Sequence, residues 1–94
     1  MAMEGFIEKL EEVHEFPGPY TMKVIGKNEA AFVALVLGVT RRVLDLEVDP
    51  EYSNRTTSSG RHVSLTLELT VDSAVIVAAL YEQMQSVEGL TMVI

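Results

Sequence analysis

Two short stretches carry the polar groups best suited to hold a ligand. The first is Gly26-Lys27-Asn28, where an extended segment turns into a helix beside a lysine. Free backbone N–H groups and the positive end of a helix at such a junction can seat a small carboxylate. An ordinary turn with a capping asparagine uses the same residues. The second is the loop Arg55-Thr56-Thr57-Ser58-Ser59-Gly60-Arg61, which sets four hydroxyls between two arginines. It offers a donor-rich tip for an anion or a protein partner, with Arg55, Thr57, Ser58, Gly60 and Arg61 as the contact residues. A solvated hairpin tip has the same composition.

Other chemistry lacks its residues. His14 and His62 are the only histidines and lie far apart, so no zinc-ligand spacing occurs. There is no nucleophile elbow, phosphate-binding Gly-Lys-Ser/Thr loop or metalloprotease histidine pair. Asp45, Glu47, Asp49 and Glu51 alternate as a strand does, and Pro50 stands where a calcium loop would continue. They read as a charged edge that deters edge-to-edge pairing. Lys23, His62 and Ser64 on one sheet face are the nearest thing to a reactive set, with no evident pocket to exclude water. The expectation is no enzyme, no metal and no cofactor.

Composition narrows the partners. The 94 residues suffice for one domain with one core, and 48% are apolar. Cysteine is absent, which removes disulfides and thiolate chemistry. Fourteen acids against seven bases leave a net charge of −7. Such a surface repels phosphate backbones and anionic lipid heads, so neither nucleic acid nor membrane is expected as a partner. No apolar run approaches the roughly 20 residues of a bilayer span. No export signal is visible, and a cytoplasmic location is expected.

The elements that position these residues follow from periodicity. Arg61–Thr70 alternates polar and apolar positions without a break, as a strand packed on one face does. Tyr20–Ile25 predicts a shorter strand ended by Gly26. Asn28 is the expected N-cap of a helix running to about Leu44, with Phe32, Leu35, Val36, Val39 and Val43 as its apolar stripe. Leu44–Val48 predicts an edge strand and Ser53–Gly60 a polar loop. Asp72 or Ser73 caps a second helix, with Ile76, Ala79, Leu80, Met84 and Val87 inward and Gly89 as its stop. Leu90–Ile94 predicts a last edge strand.

The order is β-α-β-β-α-β, the ferredoxin-like α+β arrangement. Right-handed crossovers give an antiparallel four-stranded sheet in the order 4-1-3-2 with two helices on one face. Residues 1–16 read as an acidic N-terminal extension, a short helix or a frayed tail, ahead of a single domain over 17–94. Thr21, Lys23, His62, Ser64 and Thr66 share the open sheet face, which has no aromatic residue of the kind that stacks RNA bases.

The run Glu15-Phe16-Pro17, then Tyr20, then Met22-Lys23-Val24-Ile25-Gly26 resembles the opening of the YbeD-like family of small, uncharacterised bacterial proteins. Arg55 through Thr66, with Ser58, Gly60 and Ser64, and the ending Leu90-Thr91-Met92-Val93-Ile94 resemble later stretches of that family. The resemblance implies a ferredoxin-like fold similar to ACT regulatory domains, and a regulatory or protein-interaction module. Apolar surface beyond one core points to a protein partner or self-association: Val33, Leu37, Val75, Val77, Ile25 and Val93. The alternative is an ACT-like sensor that binds an amino acid or small carboxylate at Gly26, Lys27 and Asn28.

Overall fold

The computed structural model describes residues 3–94; the first two residues of the acidic extension lie outside it. The central feature is a pair of ten-residue strands, β1 (Gly18–Lys27) and β3 (His62–Val71). They run antiparallel in continuous register from Gly18 opposite Val71 to Lys27 opposite His62. Met22 and Val24 on β1, and Val63, Leu65, Leu67, Leu69 and Val71 on β3, all bury on the same side. This is the period-two pattern turned into a core.

Helix α2 (Ala30–Leu44) follows β1, and α3 (Ala74–Met84) follows β3. Both lie on the buried side, where Phe32 and Val36 of α2 meet Val77, Leu80 and Met84 of α3 in one cluster with the strand residues. Edge strands β2 (Glu51–Thr56) and β4 (Leu90–Val93) complete the sheet in the order β2-β3-β1-β4, which read from the β4 side is 4-1-3-2. Every pairing is antiparallel.

The structure corrects the sequence expectations at several places. Of the two alternatives for the acidic extension the structure has the short helix, α1 (Met3–Val13), so the described residues form three helices rather than two, α1 packing against α3. Leu10 enters the core, and Phe6 sets its ring edge-on to Tyr81 of α3 at 5.3 Å. Burying a leucine contributes about 2 kcal/mol, enough to hold a short acidic helix that would fray alone.

The edge strand also lies later than expected. Asp45 is not in a strand but ends α2 in the left-handed conformation (φ 56°), its N–H bonded to the Arg41 carbonyl. Asp49 forms an ion pair with Arg41. The acids at 45, 47 and 49 therefore line a helix-to-strand connection, and only Glu51 belongs to an edge strand. Three apolar positions are too few to separate a strand from a helix end and its turn. Ser53 to Thr56, expected in a loop, are strand. All six β2 residues are exposed, so no apolar alternation marks them.

The buried helix faces differ as well. Leu37 and Val77, expected at the surface, are 6% and 0% exposed, whereas Leu35, expected inside, is 46% exposed. Helices α2 and α3 pack on each other as well as on the sheet, and α1 covers another side of α3. Val33 and Ile76 are half-buried against the same core, and Val75 remains exposed. Helix α3 ends at Met84, with Gly89 at φ 94° in the turn that follows; Ser73 is its cap, accepting from the Ile76 N–H.

One contact fixes how β1, α2 and β4 meet. A Cβ on Gly26 would lie 2.3 Å from the Phe32 ring and 2.6 Å from the Gly89 carbonyl oxygen. Gly26→Ala should lower the unfolding free energy by about 1–3 kcal/mol in urea titrations, through overpacking alone. An unchanged midpoint would show that the junction yields freely.

The hydroxyls of Tyr20 and Tyr81 share a 2.9 Å hydrogen bond beneath α1. Burial, then that bond and the neighbouring Tyr20 charge, push the Tyr81 phenol well above the ordinary tyrosine value of 10.0. The folded chain thus keeps a proton that the unfolded chain releases. Its contribution to stability is complete below that ordinary value and is lost as pH climbs through the folded one. Absorbance titration should show one tyrosine ionising late, and Tyr81→Phe should abolish that step. Its persistence in the variant would assign it elsewhere.

Candidate functional site

The two sequence-marked stretches come together at one end of the sheet. Because Lys27 stands opposite His62, the turn after β1 meets the turn before β3. The Asn28 N–H donates to the Arg61 carbonyl at 3.1 Å, and its side-chain Nδ2 donates to the Gly60 carbonyl at 3.0 Å. Asn28 is therefore a tether and not the expected N-cap. Glu29 takes the cap position with no side-chain hydrogen bond to the first turn of α2. Gly26 is buried, while Lys27 is exposed and its N–H donates to the Gly89 carbonyl at 3.0 Å.

The tip spends two of its four hydroxyls, those of Thr57 and Ser59, on itself. Gly60, at φ 78°, closes a turn by donating to the Thr57 carbonyl at 2.9 Å. Thr57 Oγ1 accepts from the His62 N–H, and Ser59 Oγ accepts from the Arg61 N–H. These bonds shape the turn, and every residue from Arg55 to Arg61 is exposed. Arg55 is separated from the rest: it lies in β2 opposite Ser64 and so belongs to the open sheet face.

That face carries the second constellation. Register places Ser53, Thr66, Lys23 and Ile94 in one row across the strands. Arg55, Ser64, Ile25 and Met92 form the next row. A shallow groove of about 430 Å³ is lined by Lys23, Ser53, Asn54, Arg55, Ser64 and Thr66. At one end Glu51 stands opposite Glu68, whose carboxylate accepts from Thr21 Oγ1 at 2.7 Å. On the β4 side the face is apolar: Met92 is 47% and Ile94 58% exposed, beside half-buried Ile25. Val93, expected on this face, pairs with Val24 and packs against the core instead.

Lys23, Ser64 and His62 do share the face, but no hydrogen bond joins them among the described residues. Among those residues no three potential metal ligands converge, and no helix is long and apolar enough to cross a membrane. Periodicity could not place Arg55 in the groove, because β2 has no apolar face. The available signal was three β-prone residues, Tyr52, Thr56 and Thr57, ahead of a turn glycine.

Residues 11–94 match a family described as a protein of unknown function, DUF493. The chain belongs to this family. DUF493 relatives include a UPF0250 protein of Yersinia enterocolitica, 34% identical over 86 residues that cover 92% of this chain and 97% of its own. A Haemophilus influenzae UPF0250 protein is 29% identical over 94 residues, the full length of both chains. These are the YbeD-like proteins that the Glu15–Gly26 run resembles. The crystal structure of the ACT domain from the GTP pyrophosphokinase of Chlorobium tepidum matches with a TM-score of 0.59. It is 14% identical and covers 82% of this chain and 95% of that one, a likeness of fold alone.

The tether is open to test. Asn28→Ala should cost about 1 kcal/mol and speed amide exchange at Gly60 and Asn28, leaving exchange in α1 unchanged. Equal exchange in variant and parent would mean that the hairpin tip is held without Asn28.

Proposed function

We propose that this DUF493 chain is a regulatory or protein-interaction module without catalytic activity, working through the open face of its sheet. The observation that carries this reading is the contrast between the two sides. On the helix side the core is closed, with Met22, Val24, Leu65 and Leu67 fully buried. Among the described residues the other side has no covering layer, yet it presents Lys23, Arg55, Ser64 and Thr66 next to exposed Met92 and Ile94. Mixed apolar and polar surface of this kind suits a protein contact.

A photo-crosslinking residue at Thr66 in the native host should capture a defined partner, or a second copy, that the same residue at Leu35 on α2 does not. Light scattering at high micromolar concentration separates the two. No capture at Thr66, together with a strict monomer, would sink the reading.

A second reading is favoured by the uncapped first turn of α2 next to exposed Lys27. In it the chain is a sensor of an amino acid or small carboxylate at Gly26, Lys27 and Asn28. Thermal shift against free amino acids and dicarboxylates should then raise Tm in the parent and not in Lys27→Ala. A flat response across the screen would dismiss it.

A further inference from the structure

Resting on the open face as the working surface, we propose that its partner is an acidic peptide segment. One carboxylate sits between Lys23 and Arg55, and an apolar side chain about three residues away lies on Ile25, Met92 and Ile94. The charge pattern is the first support. The chain carries 14 acids against seven bases, yet the groove lining contains two bases and no acid. Neither Lys23 nor Arg55 has an ion-pair partner among the described residues, whereas Arg41 is paired with Asp49.

Geometry is the second. Lys23 and Arg55 flank β3 on opposite sides and are offset by one row. With strands about 4.8 Å apart and about 3.4 Å per residue, their Cα atoms are about 12 Å apart, so both long side chains can converge over Ser64 and Thr66. The hydroxyls of Ser53, Ser64 and Thr66 add donors on the floor. From β3 to the apolar strip on β4 is two strand spacings, about 10 Å, or three residues of extended chain.

The same face argues against a polyanion. Glu51 and Glu68 lie one row beyond Ser53 and Thr66, about 7 Å away, where the next phosphate of a nucleic acid would fall. A single carboxylate on a peptide avoids them.

The test is selection of a displayed random dodecapeptide library on the immobilised full chain, followed by amide-shift mapping with the synthesised winners. Enriched peptides should carry Asp or Glu about three positions from a large apolar residue and shift the amides of Lys23, Ile25, Ser64 and Met92. Both bases are exposed, so Lys23→Gln and Arg55→Gln should fold as the parent does and weaken binding about tenfold each. Glu→Gln in the peptide should weaken it similarly, as should raised salt. Winners without acid enrichment, shifts away from the open face, or affinity indifferent to the substitutions would overturn the proposal. So would a failure to enrich any peptide, and so would acetate alone reproducing the shifts at the same concentration. The crosslinking experiment at Thr66 decides separately whether the open face works at all. Capture there by a partner lacking such a segment would remove only the acidic-peptide assignment.

Discussion

The ten-residue pairing of β1 with β3 is the constraint from which the rest of the molecule follows. Its unbroken register puts seven apolar side chains of the two strands on one side. That single decision says where every helix must go, because each carries apolar residues that only this side can cover. It also leaves the opposite side uncovered among the described residues, polar over β2 and β3 and apolar towards β4. A slip of one residue would exchange the two surfaces and destroy both.

The same register brings the two turns together at the Lys27–His62 end. Asn28 bonded to Gly60 and Arg61 makes one structural unit of two segments more than thirty residues apart, as their separation of 32 in sequence shows. At this end and on the adjoining face lie Lys23, Lys27, Arg55 and Arg61, four of the seven bases. The acids Glu11, Glu15 and Asp72 gather at the other end, around the start of α3. The groove is thus lined by bases although the chain as a whole is acidic.

How much was legible follows from where hydrophobicity could vary. Strand β3 and the strand order were readable because one face of the central pair is buried and the other is not. Strand β2 was displaced because its residues are exposed on both faces, so alternation is silent there. The end of α2 near Leu44 was readable, but the turn after it was taken for a strand, because Asp45 holds a conformation usually left to glycine. The outward-facing surfaces of the helices were misread at Leu37 and Val77, since periodicity cannot reveal that helices also touch each other. For the site, Lys23, Ser64 and Thr66 could be grouped from β1 and β3 alone. Arg55 could not join them until β2 was in place.

The absence of any buried residue in β2 has a dynamic consequence. A strand with no buried side chain is held mainly by its ladder to β3 and contributes little apolar burial, so it opens locally at lower cost than the core strands. Arg55 and Ser53 travel with it. Any ligand that needs both Arg55 and Lys23 binds only the fraction of molecules whose edge is zipped, and its apparent affinity is reduced by that fraction. Binding and edge closure are then one equilibrium, so occupancy would be felt as stiffness along β2 as far as the Gly60 turn.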